Sequence, residues 1–309
     1  MTSSAGVISV AVTSICCRGT TDMRLWARLA WPRQQMLVTA TLMTPALLVM
    51  LLLFLLPMGR LLLLSIQGES GPTLAHYAEL LRPVYGRLLG FTFQLALVVT
   101  LLCLLLGYPI AYLLAATTGS ARRWMMVALL LALWLSILAR TYAWIILLQR
   151  NGVINGLLQA AGIIGQPLEL VYNRFGVYVG MVHILLPFMV ITLVPTLRAI
   201  DPALPRAARS LGASAPVTFL RVYLPLSAPG VLAGSTLVFT MALGFFVTPA
   251  VLGGGHATTI AMVIQDQVQN LIDFPLASAT SIVLLAASIA TLSVYDRLVG
   301  IDRIFGGTR

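Results

Sequence analysis

Lysine is absent from this chain, and acidic residues are scarce: nine Asp and Glu stand against 19 basic residues, all of them arginine. Without lysine there is no Walker A motif, so the chain is not a P-loop ATPase by itself. A Schiff-base lysine is excluded as well. Charged residues make up 9% of the 309 positions, where a soluble domain carries about 25%. That leaves too little polar surface for a globule in water, which excludes an ordinary soluble enzyme and a disordered chain together. Cysteine is rare too. Cys16 and Cys17 are adjacent and Cys103 lies in an apolar run. Nothing has metal-ligand spacing or suggests a disulfide framework, and Cys103 reads as a small buried hydrophobe. No cluster of His, Asp, Glu or Ser at one depth suggests a membrane-embedded enzyme.

Apolar residues are abundant: hydrophobic content is 59% and mean hydropathy +0.97. Six apolar runs stand out, Leu37 to Met58, Phe91 to Ala115, Trp124 to Leu138, Phe175 to Leu197, Leu226 to Leu252 and Leu276 to Val294. The third must continue toward Ile146 to cross fully, which puts Arg140 near its outer end. Each can then cross roughly 30 Å of hydrocarbon as a helix. The expected fold class is all-α, a polytopic membrane protein with six transmembrane helices. With the N-terminus in the cytoplasm, the inner segments hold 13 arginines and the outer ones six, Arg60, Arg82, Arg87, Arg140, Arg150 and Arg174. This bias supports both termini inside. The net charge of +10 therefore reads as arginine marking inner loops, with no nucleic-acid partner and the lipid membrane as the surrounding medium.

The expected organisation is a poorly ordered cytoplasmic tail over 1–36, a six-helix domain over 37–296 and a cytoplasmic tail over 297–309. The stretch Gly6 to Cys17 is too short for a span and lacks the basic start of a signal peptide. Met23 and Met36 are alternative start positions. Two outer connections, Gln67 to Arg87 and Gln149 to Arg174, are broken by glycine and proline, and Thr258 to Ile272 suits a short interfacial helix.

One cytoplasmic loop, 200–225, has more organisation than a connector needs. Asp201 followed by Pro202 is an N-cap with proline at the first helical position. A helix over Pro202 to Leu211 would end at Gly212 in a left-handed conformation. Ser214 would cap a second short helix, Ala215 to Leu224, with Val217, Leu220, Val222 and Leu224 as its apolar stripe and Pro225 as its end. Helix, glycine turn and helix before a span form either a knob for a cytoplasmic partner or a loop lying on the membrane.

The residues Arg206, Ala207, Ala208, Gly212, Ala213, Phe219, Val222, Leu224 and Pro225 resemble the EAA motif of bacterial ABC-importer permeases: Glu-Ala-Ala, three residues, Gly, then a later apolar-x-Leu-Pro. The resemblance implies a pair of coupling helices seated in a groove of a separate ATP-hydrolysing subunit. Arg206 stands where the family has glutamate. A carboxylate near a helix N-terminus is favoured over an arginine by about 0.3–1 kcal/mol, so the loop should fold, while the glutamate's own role does not carry over.

The resemblance extends from about Leu37 to Leu292. Thr73-Leu74, Tyr77 and Tyr85, Gly107-Tyr108-Pro109 with Ala111-Tyr112, Arg140-Thr141-Tyr142-Ala143-Trp144, and Leu243-Gly244 with Phe246-Val247-Thr248-Pro249 are similar to segments of polyamine (spermidine/putrescine) permeases. This implies a subunit of an ATP-driven importer in a bacterial inner membrane, not an enzyme. Its implied partners are two copies of an ABC ATPase that uses ATP-Mg, a second permease subunit and an extracytoplasmic solute-binding protein, with no cofactor on this chain. A polyamine pathway wants carboxylates, aromatic faces or carbonyls. The six runs contain no Asp or Glu, so acids would come from the second permease. The pathway candidates here are Tyr142, Trp144, Phe245 and Phe246, with Tyr108 as a further aromatic and Asp266 at the entrance. His183 is the one histidine well inside a span, either functional or a neutral packing residue. Other small solutes (an amino-acid derivative, a vitamin or a chelated metal) remain open as cargo. A secondary transporter is the rival class; it would need coupling carboxylates and broken helices, and the six runs show neither clearly.

Overall fold

The computed structural model describes residues 33–68 and 71–299. Most of the expected tail over 1–36 and of that over 297–309, with the cysteine pair Cys16–Cys17, lies outside the described residues. The chain divides into two units, 1–60 and 61–309. Residues 33–60 of helix α1 (Arg33–Ser65) make up the described part of the first, and the apolar residues Leu47 to Leu56 are exposed.

The second unit is helical apart from a two-residue antiparallel pair, β1 (Gln67–Gly68) and β2 (Gly71–Pro72). Then come α2 (Ala75–Leu80), α3 (Pro83–Ala116), α4 (Gly119–Trp134), α5 (Ile137–Leu148) and α6 (Val153–Ala160). They are followed by α7 (Arg174–Ala199), α8 (Ala203–Ser210), α9 (Ala215–Thr218) and a π turn over Phe219–Tyr223. The last are α10 (Leu224–Leu243), α11 (Val247–Leu252), α12 (Ile260–Gln269) and α13 (Phe274–Val299). Among the described residues, five helices are long and apolar enough to cross a membrane, and a sixth crossing results if the pair Gly119–Trp134 and Ile137–Ala160 counts as one. The all-α, polytopic class agrees with the sequence reading.

Helix α7 is the centre of the second unit. Its buried residues Val177, Met181, Leu185, Met189, Leu193 and Leu197 recur every four positions and pack against Leu95, Val99, Cys103 and Ala111 of α3 and Val238 and Ala242 of α10. In lipid, helices associate through close packing of small residues more than through exclusion of water. Gly230 supplies such an approach: a Cβ there would lie 2.6 Å from Thr196 Oγ1 and 2.7 Å from Thr196 Cβ. Asn173 caps α7 through its side chain, which accepts from the Gly176 amide at 2.9 Å.

Two of the apolar runs are not single helices. The run extended to Ile146 breaks at Leu135–Ser136, where the backbone is extended, and the segment Ile137–Ala160 is bent by 98° from Gly119–Trp134. Arg140, expected near the outer end of that run, lies in the first turn of α5 and is buried. The run Leu226 to Leu252 breaks at Gly244–Phe246. Here the cause is local: Pro249 has no N–H, and its ring would collide with the carbonyl four residues back in a continuous helix.

Candidate functional site

The loop 201–225 forms largely as its residues suggest. Asp201 Oδ1 accepts from the Ala203 amide at 2.8 Å, and α8 follows. Gly212 has φ +85°, a conformation that L side chains disfavour by about 1–2 kcal/mol. The Gly212 and Ala213 amides donate to Arg209 and Ala208 carbonyls, closing the end of α8. Ser214 occupies the cap position of α9 without a side-chain cap bond. Arg206, exposed, turns back on its own helix and donates from Nε to the Pro202 carbonyl at 3.1 Å.

Pro225 does not end the second helix, which corrects the sequence reading. The chain passes from α9 through the π turn directly into α10. Pro225 and Pro229 offer no N–H to the carbonyls four residues earlier, and Pro225 sits in the first turn of α10. A wider turn just before them absorbs that mismatch.

The loop has an outward and an inward face. Outward, Leu204, Leu211, Val217, Leu220 and Leu224 are exposed, Leu211 at 89%. Ala207, Gly212 and Pro225 are exposed with them, while Ala208, Ala213 and Val222 are half-buried. Inward, the Phe219 ring stands edge-on to Tyr108 at 5.4 Å, and Tyr223 edge-on to Tyr112 at 5.2 Å. Tyr108 Oη and Ser227 Oγ share a hydrogen bond of 2.8 Å. Tyr108 is thus a packing residue joining α3 to the loop. Sequence reasoning missed both this lock and Leu211. The signal for the lock was the four-residue spacing shared by Tyr108–Tyr112 and Phe219–Tyr223.

A second constellation forms where the two broken runs meet. The short halves α5 and α11 pack together and against α7. Thr141 Oγ1 and Thr248 Oγ1 lie 3.4 Å apart, and a Cβ on Gly180 of α7 would meet Thr248 Cγ2 at 2.7 Å. Trp144 stands edge-on to His183 with ring centroids 5.6 Å apart. Arg140 lies one helical turn before Trp144 and retains 6% of its surface. Its Nε and Nη1, and Nδ1 of His183, are buried without a hydrogen-bond partner. Irregular backbone at membrane depth is tolerated where it is buried in protein or lines a cavity, and breaks of this kind mark binding sites in other transporters.

The expected pathway residues do not form one cluster. Trp144 belongs to the junction beside His183. Phe246 caps α11 at the break and is partly exposed, and Phe245 packs against the core. Tyr142 is exposed on α5. Asp266 sits elsewhere, on α12, in a shallow depression of about 290 Å³ with Thr258, Gln265, Gln269 and Asn270. The expectation of a short helix after Thr258 is met by α12. The expectation that no helix breaks clearly is overturned by the two interruptions. The Pro249 signal was present in the sequence; for Leu135–Ser136 no local signal exists.

Among known proteins, the family model described as "Binding-protein-dependent transport system inner membrane component" matches residues 107–300. The spermidine/putrescine transport system permease protein PotB of Salmonella typhimurium (strain SL1344) is 39% identical over 225 residues, covering 73% of this chain and 78% of that protein. PotB of Haemophilus influenzae is 32% identical over 225 residues, covering 73% and 79%. Among solved structures, a chain of a bacterial ABC transporter importing the acidic polysaccharide alginate superposes with a TM-score of 0.67 at 18% identity, covering 89% of this chain and 98% of that one. This last likeness concerns the fold.

Proposed function

The chain belongs to the family of binding-protein-dependent transport system inner membrane components, and from that membership we propose that it is the permease subunit of an ATP-driven polyamine importer. The chain itself is a multi-pass inner-membrane transport subunit. The polyamine assignment is supported by the 39% identity to a spermidine/putrescine permease over 73% of the chain. In this reading both termini and the loop 201–225 face the cytoplasm, as the arginine bias requires. The partners are a second permease, two ATPase copies that use ATP-Mg, and a solute-binding protein on the opposite side.

The observation that carries the coupling role is the unbroken course from α9 through the π turn into α10. The exposed Leu204, Leu211 and Leu220 seat in an apolar groove of the ATPase. Closure of the ATPases pushes on this knob. The push has two routes: along α10, and through the Phe219–Tyr108 and Tyr223–Tyr112 contacts into α3. The membrane helices then alternate between an outward-open and an inward-open arrangement. The α5–α11–α7 junction, with Trp144 and Phe246, is the part of this chain that faces the substrate. Asp266 on α12 lies at the entrance.

The test is uptake of labelled putrescine and spermidine by cells lacking this gene and by cells complemented with wild type or Gly212→Asp. A Cβ at Gly212 meets no atom within 4 Å, so the variant should insert, while its carboxylate, placed on the exposed face with Leu204, Leu211 and Leu220, should keep the knob from seating in an apolar groove. Uptake is expected with wild type and not with Gly212→Asp. Normal uptake with the variant overturns the coupling role. Polyamine uptake that never depends on the gene overturns the substrate. A second cargo reading, a small solute that is not a cation, is favoured by the absence of span carboxylates together with the buried Arg140; the same uptake experiment separates the two.

A further inference from the structure

Among the described residues, Arg140 is a cation without a counter-charge. Its Nε and Nη1 are buried with no hydrogen-bond partner, and Nδ1 of the nearby His183 is in the same condition. The groups assembled around the junction, Thr141, Trp144, Thr248 and His183, include no anion. A lone guanidinium inside a membrane is expensive, and such residues pair with an opposite charge or with carbonyls. Removing one member of a buried ion pair is strongly destabilising because the other is left uncompensated.

Among the described residues the chain offers no free carboxylate for the task. The candidate spans and the bent pair contain no Asp or Glu. Each of the five acids with described side chains is engaged elsewhere. Glu79 pairs with Arg82, Glu169 with Arg150, and Asp266 with Asn270, while Asp201 and Asp273 accept from backbone amides at helix starts. Asp22, Glu69, Asp296 and Asp302 lie outside the apolar runs. A second copy of this chain would bring another Arg140 and no span acid. A polyamine, itself a cation, cannot neutralise it.

We infer that Arg140 forms an intramembrane ion pair with a carboxylate carried by a span of the second permease subunit. The inference rests on the importer reading above. It assigns Arg140 as a positioning residue between subunits: the carboxylate approaches at the last 6% of open surface and balances the charge of the guanidinium, while Nε and Nη1 stay enclosed in this chain. It places that acid at the depth of α5. That acid, held by Arg140 at rest, is a group on which an arriving ammonium can compete.

The experiment uses the whole transporter, expressed with an affinity tag on the second permease. Arg140→Gln, Arg140→Lys and single Asp→Asn or Glu→Gln changes at every span acid of the second permease are compared. The readouts are recovery of this chain with the tagged subunit, thermal stability of the purified complex, and polyamine uptake. Arg140→Gln is expected to cut recovery about tenfold or more, and Arg140→Lys to retain most of it. One acid variant should mimic Arg140→Gln, and joining the two neutral variants should restore recovery to within about threefold of wild type. The idea fails if Arg140→Gln leaves recovery and stability unchanged. It fails equally if no span acid couples to it, or if Arg140→Gln is already lost from the membrane when this chain is expressed alone and Arg140→Lys is lost with it. Failure of the importer reading looks different: wild-type chain then recovers no second permease and supports no polyamine uptake.

Discussion

Replacing Gly230 by alanine should damage the contact between α7 and α10, and the damage should be reversible by one second change. The Cβ of an alanine at 230 would lie 2.6 Å from Thr196 Oγ1, 2.7 Å from Thr196 Cβ and 3.2 Å from Thr196 Cγ2. Carbon atoms pack at about 3.5–4.0 Å, so the helices must separate by roughly 1 Å at this point. Thr196 cannot swing clear, because one obstructing atom is its own Cβ, fixed by the α7 backbone. Overpacking of this kind costs about 1–3 kcal/mol. Gly230 sits two turns into α10, directly after the coupling loop, so the same displacement should reduce transport. The assay is thermal unfolding of the purified complex together with uptake. Gly230→Ala should lower the midpoint by several degrees, and Thr196→Gly, which removes all three obstructing atoms, should recover most of the loss in the double variant. Thr196→Gly alone costs helix propensity, about 1 kcal/mol, so the cycle and not the single values decides. Equal, additive losses in the double variant would refute the close-approach reasoning.

Four further outcomes follow from particular contacts. Asn155 is fully buried and donates to the Gln149 and Leu168 carbonyls while accepting from the Leu168 amide; Asn155→Ala should cost about 2–3 kcal/mol, read as a lowered unfolding midpoint. Tyr108→Phe removes the bond to Ser227, whose Oγ keeps its own bond to the Leu224 carbonyl, so the loss should stay near 1 kcal/mol while uptake falls more than stability does. Gly212→Asn should retain more uptake than Gly212→Ala, because asparagine tolerates the φ of +85° better than alanine; the reverse order in a transport assay would count against the turn as the determinant. Glu169→Gln breaks an exposed pair with Arg150 and should shift stability by less than about 1 kcal/mol, with no change in uptake.

The coupling loop was readable because its instructions are local. Asp201, Gly212 and the apolar positions after Ser214 each act on backbone within a few residues, and α8, the left-handed turn and α9 follow from them. Pro225 was misread for the opposite reason. A proline stops a helix only if nothing widens the turn before it, and the π turn over Phe219–Tyr223 does so while its Phe219 and Tyr223 pack on Tyr108 and Tyr112, far away in the sequence. The break after Phe245 could have been found from Pro249. The break at Leu135–Ser136 has no proline or glycine, and it depends on where α5 finds Thr248 and His183.

The sequence by itself determined that this protein lives in a membrane. It set roughly six crossings and the knob before α10. Those properties depend on composition, periodicity and short-range backbone chemistry, while the likeness to an importer family rests on matching motifs. Only the tertiary structure decided that two of the crossings are interrupted, that their short halves meet on α7, and that Arg140 is enclosed there without an anion among the described residues. Residues 140, 183 and 248 are far apart along the chain, and what joins them is close packing of helices, which is set by the shapes of all the facing side chains at once. No local window of the sequence contains that information.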